Sequence, residues 1–417
     1  MNLLFVHQNL PGQYLHLAQH YARDPAHRVH FLTQANHNQL AGVEKVVYPV
    51  ETRVPTLCHP FSMEFDRMIT VGTAAAERAS ALAATGYRPD IIVGHAGWGE
   101  LLYLRDVFPD TPILGNFEFY YHAEGHDVGF DPEFESIFNS PARLRTRNAT
   151  TLLSFESVDW GHTATRWQHS LHPPHMQAGL SVLHEGVDTD IACPNPSATF
   201  VLPNGRTLTP KDAVVTYVAR NLEPYRGFHT FMRSLPALQR RHPKAEFVLV
   251  GGDAVSYGAP HAPGSTFRQW MLDELGDALD LTRIHFLGQV PYDRYLQLLQ
   301  VSSAHVYLTY PFVLSWSFIE ALSMGCVVIG SRTPPVMEVL QDGVNGLAVD
   351  FFSTDAIADA VTTALTKPRL AARLRRAARQ TSRVRPRWAA APPWHQSRRR
   401  RSLRCLLLSP SPGARLA

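Results

Sequence analysis

The feature that most constrains this chain is an alternation, made twice over, of short apolar runs with longer mixed segments of helical period. In the amino half the runs are LLFVH (3–7), VHFLT (29–33), VVYPV (46–50), DIIVGH (90–95), PILGNFEFYY (112–121), ATTLLSF (149–155) and SVLHEGVD (181–188), with helical stretches such as 15–23 and 67–84 between them. A second series opens with AVVTYVARN (213–221) and continues through FVLVGGD (247–253), RIHFLGQV (283–290), AHVYLTYP (304–311), CVVIG (326–330) and NGLAVD (345–350). Strands that alternate with helices pair as parallel sheets covered on both faces. The expectation is an α/β protein of two doubly wound, Rossmann-like domains facing a cleft. One spans 1–185, a linker rich in Asn, Pro and Ser spans 186–212, and the other spans 213–380.

A length of 417 residues, 45% hydrophobic and 18% charged, fits two soluble cores. No apolar run approaches a membrane span, and MNLLFVHQNL lacks the basic start and cleavage site of a leader, so it reads as a first strand and the protein as cytoplasmic. The cysteines, Cys58, Cys193, Cys326 and Cys405, have neither disulfide-framework nor zinc-site spacing. The formal charge of +3 hides an asymmetry: residues 360–417 hold 15 of the 39 basic residues and no acid, which leaves the body at −12. Nucleic-acid binding therefore finds no support outside the tail. From about Thr381 that tail turns Arg- and Pro-rich and loses helical period, so disorder over 381–417 is expected, or a peripheral anchor to anionic membrane at its cytoplasmic face.

The stretch YPFVLSWSFIEALSMGCVVIGSRTPP (310–335) reads as strand end, loop, short helix, Gly stop and buried strand, with Ser315 as N-cap. A loop that opens a helix presents free N–H groups to phosphate. Glu320, one turn in, leans back over that opening, a placement that suits sugar hydroxyls. The strand VVTYVAR ends at Arg220, and the following loop carries Arg226 and Gly227; two guanidiniums at one strand end suit a diphosphate. Gly251 and Gly252 end a buried strand where backbone must approach something closely.

Three strand ends of the amino half are also informative. HQNLPGQY forces a tight loop at Pro11 and Gly12. HAGWGE sets His95, Trp98 and Glu100 among glycines. FEFYYHAEGHDVGFDPEF crowds Glu118, His122, Glu124, His126, Asp127, Asp131 and Glu133 together with Tyr120 and Tyr121. Without a tight ligand spacing, a polar pocket for a hydroxylated substrate fits this better than a metal site.

The 310–335 stretch resembles the nucleotide-sugar site of retaining GT-B glycosyltransferases of family 4, whose motif sets two Glu eight positions apart before a Gly-containing strand. Here Glu320 stands as the second, Phe312 occupies the place of the first, and FEFYY, DVGFDPEF, RNATTLL (147–153) and TRWQ (165–168) extend the resemblance to a narrower group, over roughly residues 1–380. It implies transfer of a sugar from a nucleoside-diphosphate donor to a glycan or lipid-linked acceptor with retained configuration, in surface or extracellular polysaccharide synthesis, and with no cofactor or metal. The implied donor site is Glu320 at the ribose, with Ser315, Trp316, Ser317, Gly227, Gly251 and Gly252, and with Gly288, Gln289 and Val290 reading the base. The amino domain then takes the acceptor, with Gly12, Trp98, Tyr120 and Tyr121 on that side. Arg220 and Arg226 would stabilise the leaving diphosphate, and Glu118, with His95 as second candidate, the oxocarbenium-like sugar. The rivals are a nucleotide-sugar epimerase or hydrolase, and a non-catalytic nucleotide-sugar-binding subunit.

Overall fold

The computed structural model describes residues 1–50, 58–134 and 140–383. They form two compact units. The first, built from 1–123 and 140–185, holds a seven-stranded parallel sheet. Its strands are β1 (Asn2–Val6), β2 (Arg28–Thr33), β3 (Val43–Val47), β4 (Ile91–His95), β5 (Ile113–Asn116), β6 (Trp160–Thr163) and β7 (Leu180–Val182), in the order β3-β2-β1-β4-β5-β6-β7. Apolar side chains alternate to the two faces of this sheet. Leu3, Phe5, Phe31 and Val93 pack beneath the helix Leu15–Ala22, while Leu4, Val6, Ile92 and Phe117 pack on the other face with the helix Met63–Ala84.

The second unit, 124–134 with 186–383, carries a hairpin, β8 (Phe200–Val201) with β9 (Thr207–Leu208), and a six-stranded parallel sheet. That sheet comprises β10 (Val214–Asn221), β11 (Glu246–Gly252), β12 (Ile284–Phe286), β13 (Ala304–Tyr307), β14 (Val328–Ser331) and β15 (Leu347–Val349), ordered β12-β11-β10-β13-β14-β15. Strand order reverses beside β1 in the first sheet and beside β10 in the second. In such sheets the crevice for ligand opens at the carboxyl ends of the strands flanking that reversal.

Three sequence readings need correction. ATTLLSF is not a strand but part of the helix Ala149–Ser157, with Thr150, Thr151 and Ser154 buried; a short apolar run does not by itself separate helix from strand, and here packing decides. The strand at that place in the sheet is WGHT of β6, too short and polar to show as an apolar run. Residues 186–212 are not linker, because Phe200, Leu202 and Leu208 are buried against Val214, Val248 and Leu298 of the second unit. The helix Pro368–Arg383 carries order past Thr381, and the rest of the tail expected to be disordered lies outside the described residues.

Candidate functional site

In the first unit the strands flanking the reversal end in two histidines. The rings of His7 and His95 meet edge to face at 5.5 Å, and His95 stacks on Trp98 at 5.6 Å. Gly12 lies under His7: its φ is +51°, and a Cβ there would stand 2.7 Å from the His7 ring, so the loop closes only with glycine. The Gly97 N–H donates to His95 Nδ1 at 3.0 Å, which leaves the proton of the neutral ring on Nε2. That nitrogen is 3.6 Å from Glu118 Oε2, and Gln13 Nε2 donates to Glu118 Oε1 at 3.3 Å. Burial, with His95 adding to it, pushes His7 down to about 3.

Gly12, His95, Trp98 and Glu118 are thus brought together, with His7 and Gln13 as members the sequence reading had not singled out. Tyr120 and Tyr121 are not. The Tyr120 ring lies against His122 and His172, and Tyr121 lies under the Arg147 guanidinium at 3.8 Å with its backbone fixed by Asn148.

Glu100 is also in this neighbourhood and is fully buried. Tyr48 donates to its Oε1 at 2.7 Å, yet burial holds the carboxyl up at about 7.

In the second unit Arg220 is exposed at the carboxyl end of β10, with no partner among the described residues, as a phosphate ligand would be. Arg226 is different. Gly227, at φ +67°, turns the chain so closely over Leu308 that a Cβ would sit 2.5 Å from that side chain, and Arg226 points inward. Its Nη1 donates to Tyr307 Oη (3.2 Å), Thr309 Oγ1 (2.8 Å) and the Val313 carbonyl (3.0 Å), and the guanidinium sits over Tyr257. Expected as a diphosphate grip, it holds the loop that leads into the helix Trp316–Ser323.

Gly251 and Gly252 have protein reasons for being glycine, since a Cβ would meet Leu222 at 2.8 Å and Asn221 Oδ1 at 2.7 Å. The Gly251 N–H donates to the Gly288 carbonyl at 3.0 Å. Gly288 has φ +64°, Gln289 is exposed beside Gly252, and Val290 is half-buried. Ser315 stands at the N-cap position, but its hydroxyl pairs with Ser317 Oγ at 2.8 Å instead of capping the backbone, and Trp316 is exposed. Glu320 is 9% exposed and accepts from Tyr292 (2.7 Å) and Tyr295 (2.9 Å), an i, i+3 pair on the helix Tyr292–Val301. Phe312 is packed against Tyr225 and Tyr257. Sequence reasoning missed Glu223 too: wholly buried, its carboxylate accepts the N–H groups of Ser256, Tyr257 and Gly258 and so shapes the loop beside Gly252.

The acidic run after FEFYY finds its partners in the second unit. Asp127 accepts from Tyr225, Asp131 pairs with His229 (3.1 Å) and Tyr310 (2.9 Å), and Glu133 makes two 2.7 Å bonds to Arg233, all within the second unit. Ligand atoms of Asp131, Glu133 and His229 lie within 4.8 Å of one another, close enough for a metal ion, but Arg233 already occupies both oxygens of Glu133.

Residues 25–192 match the family model described as Glycosyl transferase family 4 group, and residues 204–381 that of Glycosyl transferases group 1. A GDP-mannose-dependent alpha-(1-6)-phosphatidylinositol monomannoside mannosyltransferase of Mycobacterium tuberculosis is 28% identical over 280 residues, 63% of this chain and 64% of that protein. The aligned part thus spans less than two thirds of the relative's length. A D-inositol 3-phosphate glycosyltransferase of Corynebacterium glutamicum is 28% identical over 189 residues, 45% of this chain and 43% of the other. Among solved structures, sucrose-phosphate synthase from Thermosynechococcus elongatus superposes with a TM-score of 0.66 at 18% identity, covering 93% of this chain and 95% of that one. Anabaena HepE in complex with UDP gives 0.61 at 16% identity, with 92% and 95% covered.

Proposed function

We propose that the chain is a GT-B glycosyltransferase of the family 4 type, as the two family models over 25–192 and 204–381 support, and that it moves a sugar from a nucleoside-diphosphate donor to an acceptor hydroxyl with retained anomeric configuration. The observation that carries the reading is the carboxyl edge of the second sheet. There a free Arg220 stands at the end of β10, and the neighbouring strand β13 leads to the amides that open the helix Trp316–Ser323 and to the buried carboxylate of Glu320. Positive charge and unpaired N–H groups suit a departing diphosphate, and fixed donors aimed at developing charge are typically worth about 3–4 kcal/mol each. Arg226 serves by holding the 309–313 loop in place. Glu320, oriented by two tyrosine hydroxyls, retains lone pairs for the ribose.

At the first sheet, Glu118, a carboxylate beside His95, is the group proposed to face positive charge on the sugar. The relatives' names make GDP-mannose and UDP-glucose the donors to try, and a glycan or lipid-linked hydroxyl the acceptor class. The positive groups named above stand in for a metal at the leaving diphosphate, and unchanged turnover in EDTA is the check. No helix among the described residues is long and apolar enough to cross a membrane; the Arg-rich stretch from about Thr381 is the proposed anchor, and binding of the chain to vesicles of anionic lipid is its check.

The test is calorimetry with UDP and GDP, followed by NMR assignment of the anomeric centre in any product. An inverted product ends the retention claim. Phe312, buried among tyrosines and unable to act as a carboxylate, favours a second reading, a non-catalytic nucleotide-sugar-binding protein; donor binding without turnover or hydrolysis would select it.

A further inference from the structure

Three stretches far apart in sequence, FEFYY (117–121), RNATTLL (147–153) and TRWQ (165–168), come together in the first unit. FEFYY follows β5 and belongs to no helix or strand, so its peptide groups need partners from elsewhere. The Phe117 N–H donates to the His162 carbonyl of β6 at 2.8 Å. Two side-chain amides then take over. Gln168 Nε2 donates to the Glu118 carbonyl at 2.6 Å. Asn148 meets Tyr121 on both sides, accepting from its N–H at 2.9 Å and donating to its carbonyl at 2.8 Å.

The clamp is itself built in. Asn148 and Gln168 are 3% and 0% exposed, and a buried amide is costly unless its polar atoms are bonded. Thr165, the N-cap of the helix Arg166–Leu171, accepts from the Gln168 N–H at 3.0 Å and donates its hydroxyl to Gln168 Oε1 at 2.8 Å. That fixes the amide plane and turns Nε2 to the Glu118 carbonyl. Asn148 opens the helix Ala149–Ser157, and Ser154 on the same helix donates to the Ala96 carbonyl at 2.9 Å. One helix thus grips both the segment that carries Glu118 and the residue that follows His95. The Glu118 side chain is 30% exposed and has room to swing, yet its carboxylate stands 3.6 Å from His95 Nε2. We infer that Gln168 and Asn148 are positioning residues, which hold the backbone of FEFYY so that Glu118 stays against His95. Their use in the reaction rests on the glycosyltransferase reading, in which Glu118 faces the sugar; the placement does not.

The full chain, isotope-labelled at its histidine rings, reports that placement by NMR without substrate. The His95 signal is identified by its loss in His95→Ala, and Glu118→Gln moves it by removing the carboxylate beside the ring. Gln168→Met and Asn148→Asp are expected to move it in the same direction. Thr151→Val, buried on the same helix with no side-chain bond to FEFYY among the described residues, leaves it in place. Asn148→Asp keeps the acceptor for Tyr121 and puts negative charge at a helix N-terminus, so it carries the test should Gln168→Met not fold. A signal unmoved in the folded variants, or moved as far by Thr151→Val, overturns the inference. With GDP-mannose and UDP-glucose as donors, Gln168→Met should lose on the order of 100-fold in kcat, the cost of misplacing a group by about 1 Å. It should lose far less in a Glu118→Gln background, because residues acting as one unit are not additive. Equal losses in the two backgrounds also overturn the inference. A parent that turns over neither donor counts against the glycosyltransferase reading alone, and the His95 signal then decides the placement.

Discussion

Glu100→Gln should make the protein more stable, and only on the alkaline side. The ordinary glutamate value is 4.5, and in the fold burial raises Glu100 to about 7 against the opposing pull of the Tyr48 hydroxyl and of His95. Below pH 4.5 both the folded and the unfolded chain hold the proton, and the group contributes nothing. Between 4.5 and about 7 the folded state binds a proton that the unfolded state has released, so stability falls as pH rises. Above about 7 the penalty is complete, on the order of 3 kcal/mol for a shift of this size. Glutamine keeps an oxygen for Tyr48 to donate to and cannot ionise. Urea unfolding at pH 4.5, 6, 7 and 8 should therefore show a variant about as stable as the parent at the acid end and roughly 2–3 kcal/mol more stable at pH 8. Only the difference between the two proteins is informative. His7, depressed to about 3 from 6.5, gives a slope of opposite sign below pH 6.5 that partly masks Glu100 in either protein alone. A difference that stays constant across pH, or that grows towards acid, would refute the reasoning.

At the nucleotide end, Glu320→Gln is expected to weaken binding of the nucleotide that the protein prefers by roughly 1–3 kcal/mol, read by calorimetry, with the fold intact because the amide can still meet Tyr292 and Tyr295. Arg220→Ala should lower that affinity without moving the melting temperature, whereas Arg226→Met should lower the melting temperature as well, since Thr309 and the Val313 carbonyl lose a buried donor; equal behaviour of the two variants would contradict the separate roles. Arg379→Met should cost about 2–4 kcal/mol in urea unfolding, because its guanidinium donates to the carbonyls of Thr189, Ala192 and Ser323 and to the Ser323 hydroxyl, and a solvated surface arginine would cost almost nothing.

The two sheets were legible because a parallel strand buried on both faces must be apolar along its length, and that pattern survives in the sequence at β1, β2, β4, β10 and β11. It fails at β6, where Trp, Gly, His and Thr fill a four-residue strand. The strand-end loops were legible for a related reason: Gly12 must be glycine because His7 lies against it, and a Gly beside polar residues shows in a sequence. What could not be read is direction. Arg226 and Arg220 look alike on paper, but the left-handed turn at Gly227 sends one inward and leaves the other in water. The tyrosines on Glu320 stand 25 and 28 positions away in sequence, with nothing local to couple them. In the helix Pro368–Arg383, Arg375 and Arg379 donate to backbone carbonyls, a use that depends on where the helix docks.

The segment DVGFDPEF shows why a contiguous motif need not be one site. The chain leaves the first unit after Ala123 to place this segment on the second, and returns before leaving again after Glu185. Its side chains differ in what they contribute there. Glu133 and Arg233 are 38% and 27% exposed, and a pair so placed is worth at most about 1 kcal/mol, enough to orient the segment but not to hold it. Asp131 and His229 are each 3% exposed, with Tyr310 donating to the same carboxylate oxygen. Removing one partner of a buried pair typically costs about 3–5 kcal/mol, so this is the contact that fixes the segment. Phe130 closes against Tyr310, Phe351 and Phe352, and Phe134 against His229, Phe267 and Trp270. A boundary drawn at residue 185 from sequence alone would therefore strip the second unit of Asp131, Phe130 and Phe134 and leave His229 buried without its carboxylate. The acidic residues that look most like a substrate pocket in the sequence are spent on building the second unit, and Glu118, five positions before the chain leaves the first unit at Ala123, is the one left beside the histidines of the first.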